Sequence, residues 1–171
     1  MRFALVLMVG MLCVSSAATA EVMDAQDNGF AVRLAVDIAA PPPVVFRVVT
    51  EQVGSWWSSS HTFSGDAANL SMEARPGGCF CEKMPNGGVR HMTVTHVMAP
   101  GTLVLNGGLG PLGTMASAGA MQLTFTAQGG ATHVEMTYNV SGYAPGGLKP
   151  MAPLVDGVLA EQMKRLKAFV E

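Results

Sequence analysis

The twenty residues from Met151 to Val170 constrain the fold more than any other stretch of this chain. Met151, Leu154, Val155, Val158, Leu159, Gln162, Leu166, Phe169 and Val170 recur at spacings of three and four, the repeat of an amphipathic helix. Pro150 and Pro153 fall in its first turn, where a missing amide donor is tolerated. Lys164, Arg165 and Lys167 sit near its C-terminal end, where the helix dipole favours cations. Such a broad apolar stripe has to bury itself against a large concave partner. The rest of the chain offers only strands for that purpose.

Those strands are legible by alternation. From Phe30 to Ile38 every even position is apolar. Pro41-Pro42-Pro43 ends that run and leads into a short helical segment over Val44–Val53, followed by Trp56-Trp57. Short strand segments are then predicted at 70–74, 79–83, 89–98 and 102–106. They are separated by Pro76-Gly77-Gly78, Pro85-Asn86-Gly87-Gly88 and Ala99-Pro100-Gly101. Met121, Leu123 and Phe125 alternate with polar neighbours. After Gly129-Gly130, so do Val134, Met136, Tyr138 and Val140, which makes a hairpin with one wet face. The expected architecture is α+β: a curved antiparallel sheet wrapped around a long C-terminal helix, with a short helical pair after the first strand.

The N-terminus reads differently. Met1-Arg2, an apolar run from Phe3 to Val14 and the small residues Ala18-Thr19-Ala20 follow the pattern of a secretory signal peptide. The run falls short of the roughly 20 apolar residues of a membrane span, so no stable membrane span is expected. Leu12 before Cys13 does not fit a lipidation signal. Cleavage after Ala20 would leave an exported chain, periplasmic or secreted, with 21–29 as a flexible lead-in and 30–171 as one domain.

Composition excludes further classes. Ten Lys+Arg against twelve Asp+Glu give a net charge of −2, and 49% of residues are apolar. That rules out a disordered chain and argues against nucleic acid as a partner. Gly108-Leu109-Gly110-Pro111-Leu112-Gly113 matches a dinucleotide fingerprint formally. It opens a strand rather than a helix, however, and Pro111 interrupts it, so it reads as a strand connection or a lid at a cavity mouth, and no cofactor is implied. Cys79 and Cys81, spaced C-x-C, are candidate metal ligands or redox thiols, or simply two small apolar residues sharing a strand face. Because i and i+2 on a strand lie near the upper limit for a disulfide, an intermolecular bond is expected over a Cys79–Cys81 bond.

The order of elements, with Trp56-Trp57 after the helical pair, resembles the START/polyketide-cyclase-like (SRPBCC, helix-grip) superfamily. Pro76-Gly77-Gly78-x-Phe80-x-Glu82 is similar to a hairpin of its branch of activator of heat-shock-protein ATPase homologues. Ser141-Gly142-Tyr143 and the segment Val155–Gln162 are similar to exported members of that group. The resemblance covers about Phe30 to Val170, and Cys79-Phe80-Cys81 departs from the usual hairpin. It implies a cavity between sheet and helix for a small hydrophobic or amphipathic ligand. It does not imply chaperone activation, whose partner is cytosolic while this chain reads as exported.

Within that frame the candidate ligand-binding residues are Trp56, Trp57, Met92, Val94, Met98, Met121, Leu123, Met136, Tyr138, Val155 and Leu159. The many methionines suit either an adaptable pocket or a packed core. A polyketide-cyclase- or hydrolase-like enzyme is the alternative, with His96 as base beside Arg90 or Tyr143. One strand parity puts Arg90, Met92, Val94, His96 and Met98 on the cavity face, and the opposite parity turns His96 and Arg90 outward.

Overall fold

The computed structural model describes residues 19–171. The expected signal peptide, but for its last two residues Thr19 and Ala20, lies outside these. Eight antiparallel strands form one curved sheet: β1 (Thr19–Gln26), β2 (Gly29–Ile38), β3 (Leu70–Met72), β4 (Cys79–Met84), β5 (Gly87–Met98), β6 (Thr102–Gly107), β7 (Ala116–Gln128) and β8 (Ala131–Tyr143). Their spatial order is β1-β2-β8-β7-β6-β5-β4-β3. Helices α1 (Pro42–Glu51) and α2 (Val53–Trp56) follow β2, and α3 (Met151–Val170) crosses the concave face.

The alternation read from the sequence becomes burial. Phe30, Val32, Leu34, Val36 and Ile38 of β2 point inward, as do Met121, Leu123 and Phe125 of β7 and Val134, Met136, Tyr138 and Val140 of β8. Leu159, Met163 and Leu166 close the core from α3. Pro41 at the N-cap of α1 has no side-chain acceptor, so the helix starts without a side-chain cap, and Pro42 in its first turn has no amide donor to leave unpaired.

Segment 21–29 is not a flexible lead-in. Residues 19–26 pair with β2 over the register Thr19↔Ala35 to Gln26↔Gly29, and Arg33 meets Glu21 at 3.0 Å. This edge strand is exposed along nearly its whole length. It is held by ladder hydrogen bonds rather than by a buried face, so it carries no hydropathic alternation to read.

Strand β5 follows neither of the two expected parities. Against β4, Phe80 pairs with Met92 and Cys81 with Arg90, leaving His91 as a bulged residue. Against β6, Val94 pairs with Leu105 and His96 with Val104, leaving Thr95 as another. Each bulge shifts the side-chain alternation by one. His91, Met92 and Val94 are therefore all buried, whereas Arg90, His96 and Met98 face solvent. Gly107 makes the first bulge possible. Any Cβ there would run into the His91 carbonyl and lie 2.8 Å from Met92 Cα.

Candidate functional site: an apolar cleft over a buried Glu82–His91 pair

Between the N-terminal half of α3, the segment after α2, and β4–β5 lies a half-open cleft of about 390 Å³. The helix contributes Met151, Leu154, Val155, Val158 and Leu159, one face of its stripe. Trp57 and residues 60–63 form a second wall, Phe80 and His91 the sheet side, and Leu109, Gly110 and Pro111 the rim. Its volume lies within the usual range of small-molecule pockets.

Each wall is fixed by specific contacts. Trp57 donates its indole N–H to the His61 carbonyl at 3.1 Å and packs edge-on against Phe80 at 5.5 Å. Gln162, 0% exposed, ties α3 to the second wall. Its Oε1 accepts the Ser58 amide at 2.8 Å, while its Nε2 donates to the Val158 carbonyl at 3.1 Å and to His61 Nδ1 at 3.0 Å. The two backbone partners fix the orientation of the amide, so His61 Nδ1 must be the acceptor and a neutral His61 ring carries its proton on Nε2. At the rim, the Tyr138 hydroxyl donates to the Gly107 carbonyl at 3.1 Å and accepts from the Leu109 amide at 3.3 Å. Burial pushes this phenol up to about 12.

The sheet side holds, among the described residues, the one buried ionisable pair that reaches the cleft. Glu82, 1% exposed, accepts the amides of Phe63 (3.1 Å) and Ser64 and the Nε2–H of His91 (3.1 Å). Burial raises its carboxyl, but the hydrogen bonds from Ser64, Phe63 and His91 together outweigh that and hold it below the ordinary glutamate range. An ionised Glu82 requires the proton on His91 Nε2, and in the neutral ring this leaves Nδ1 as a lone-pair acceptor. His91 is 6% exposed, its ring stacked on Phe63 at 5.9 Å and tilted against Phe80 at 5.3 Å. Its Nδ1 is buried and has no partner.

Of the ligand-binding candidates, the cleft brings together Trp57, Val155 and Leu159. Trp56, Met92, Val94, Met121, Leu123, Met136 and Tyr138 are buried in the core behind it. Met98 is corrected outright: it is 64% exposed, beyond the second bulge of β5. The catalytic candidates are corrected too. His96 and Arg90 face solvent, and Tyr143, 70% exposed, projects from the last position of β8. Glu82 and His91 were not singled out as a pair. Nine positions apart, they meet only because β4 and β5 form a hairpin with a bulge at His91. The signal in the sequence is Glu82 on the same parity of β4 as Phe80, whereas His91 joins it only once the bulge in β5 is placed.

Cys79 and Cys81 also depart from expectation. They form an intramolecular disulfide across a Cα separation of 5.4 Å, inside the usual range. With both sulfurs in that bond, neither is a thiolate ligand. Among the described residues no group of three His, Cys, Asp or Glu side chains is placed to hold a metal ion, and no helix there is long and apolar enough to cross a membrane.

Comparison with solved structures supports the fold. CalU16 from Micromonospora echinospora superposes with a TM-score of 0.64 at 13% identity, over 91% of this chain and 87% of that one. A conserved protein of unknown function from Enterococcus faecalis gives 0.61 at 14% identity, over 90% and 77%. A protein from Mycobacterium smegmatis gives 0.57 at 16% identity, over 88% and 98%. At such identities the likeness speaks to fold alone. No curated protein matches the chain by sequence. The family model described as polyketide cyclase / dehydrase and lipid transport matches residues 30–171, nearly the whole described chain, and the protein belongs to that family.

Proposed function

We propose that this protein is an exported carrier or sensor that holds one small hydrophobic or amphipathic molecule in the cleft beneath α3. The observation that carries this reading is the cleft itself, about 390 Å³ with walls of Trp57, Phe63, Phe80, Val155, Val158 and Leu159. An apolar ligand placed there is removed from water on several sides, which is the main source of affinity for such molecules. Family membership agrees, since the family includes lipid transport in its description. The N-terminal pattern supports export, and cleavage after Ala20 would keep Glu21–Gln26 of β1 paired with β2. The Pro76-Gly77-Gly78 hairpin supports placement in the activator-homologue branch of the superfamily.

The test is titration of the mature protein with the neutral fluorescent probe N-phenyl-1-naphthylamine, alongside Val155→Trp, which fills the cleft from the helix side. Saturable binding of one probe per folded chain, lost in Val155→Trp while its melting transition is retained, is the expected result. Equal binding by a folded Val155→Trp, or binding only on unfolding, would refute the reading.

A further inference from the structure

The polar atoms of the cleft are almost all committed. Ser60 Oγ is engaged with Ser58 Oγ at 2.8 Å, and Thr62 Oγ1 donates to the Ser59 carbonyl at 2.8 Å. His61 Nδ1 is taken by Gln162, and both Glu82 oxygens are taken by amides and by His91. His91 Nδ1 is the buried exception: it belongs to a cleft-lining ring and has no partner, whereas the Nε2–H of the neutral His61 ring sits on a partly exposed side chain. A buried polar atom left unsatisfied is unfavourable by about 1–3 kcal/mol, so such atoms in native proteins call for an explanation.

Resting on the ligand-binding reading above, we propose that His91 is the specificity-determining residue of the cleft and that the ligand is an apolar molecule bearing one hydrogen-bond donor, a hydroxyl or N–H, which it gives to His91 Nδ1. Three features make this acceptor selective. Glu82 holds a proton on Nε2, so in the neutral ring Nδ1 presents a lone pair rather than an N–H. Phe63, stacked on the ring at 5.9 Å, and Phe80, tilted against it at 5.3 Å, restrain its orientation. The walls immediately around the ring are apolar, so a ligand lacking a donor leaves Nδ1 unpaired. A ligand carboxylate is disfavoured as well, because it would bring a second negative charge beside the ionised Glu82.

The experiment compares 1-naphthol with 1-methoxynaphthalene, which keeps the ring and the oxygen but has no donor, by quenching of tryptophan fluorescence in the wild-type protein and in His91→Phe. The expected result is that naphthol binds wild type about tenfold more tightly than the ether, a preference that vanishes in His91→Phe. Long-range ¹H–¹⁵N spectra of the wild-type protein supply a readout independent of the variant's folding. The proton should sit on Nε2 of His91, and the Nδ1 resonance should move upfield with naphthol but not with the ether. Affinities within twofold of each other, with an unmoved Nδ1 resonance, would overturn the role of His91 and leave the cleft as an unselective apolar pocket. Failure of both probes to bind at all would remove the ligand-binding reading, and this inference with it.

Discussion

Replacing Glu82 by glutamine tests the core of the site. The carboxylate accepts three hydrogen bonds: Oε1 from the Ser64 amide, and Oε2 from the Phe63 amide and His91 Nε2. A glutamine in the same position offers one oxygen and one NH₂. With its oxygen at the Oε2 site it retains Phe63 and His91 but turns an NH₂ toward the Ser64 N–H, leaving that donor unpaired. The two retained bonds become neutral, a loss of about 1 kcal/mol each, and the orphaned buried amide adds about 1–2 kcal/mol. The sum, about 3 kcal/mol, agrees with the usual effect of breaking a buried ionic network. For a domain of this size that is a fall of about 6–12 °C in melting temperature.

The pH dependence carries a definite sign. The carboxyl of Glu82 is held below the 4.5 of a free side chain in the folded state. Its contribution is therefore complete above 4.5 and is lost as pH falls from there through the depressed folded value. Urea denaturation of wild type and Glu82→Gln, at pH 7 and at steps down to pH 3, should show a gap of about 3 kcal/mol that narrows toward acid. A gap below about 1 kcal/mol at pH 7, or one that does not change with pH, would refute the account of Glu82 as an ionised hub.

Other substitutions have equally definite outcomes. Gln162→Leu strands the buried Ser58 amide and frees His61, and urea denaturation should show a loss of about 2 kcal/mol. Asp156 has a buried, unpartnered Oδ1 and a carboxyl raised by burial, so Asp156→Ala should stabilise the protein at neutral pH, with the advantage shrinking as pH falls through that raised value. His96→Ala and Arg90→Ala change side chains on the solvent face, and each should shift stability by less than about 0.5 kcal/mol and leave probe binding intact. The Cys79–Cys81 bond predicts a monomer on a non-reducing gel with no alkylatable thiol at either position. Reducing this three-residue loop should cost about 1.5 kcal/mol on loop-closure grounds.

Much of the architecture is written locally. The alternation of Phe30–Ile38 and of Val134–Val140, and the three- and four-residue spacing of Met151–Val170, are properties of neighbouring residues. Each specifies an element whose apolar face must be buried, and together they demand a sheet closed by a helix. The site was only partly legible. Trp57, Val155 and Leu159 line the cleft and were readable from an aromatic pair and a helical stripe, but the same reading also named Tyr143, which is 70% exposed.

What the sequence alone could not decide depends on contacts between distant segments. A bulge at His91 exists because Gly107 of the neighbouring strand lets its backbone come close. Strict alternation along 89–98 has no term for that: parity can turn either His96 or His91 inward, but never His91 together with Met92 and Val94. The edge strand 19–26 is stabilised by pairing rather than by burial, and hydropathy does not register main-chain hydrogen bonds. The Cys79–Cys81 bond depends on a Cα separation of 5.4 Å across one intervening residue, and the Glu82–His91 pair on strand register and a loop bringing Phe63 and Ser64 to one carboxylate. Side-chain period is encoded residue by residue. Its phase at the site was decided by the tertiary packing of one strand against two others.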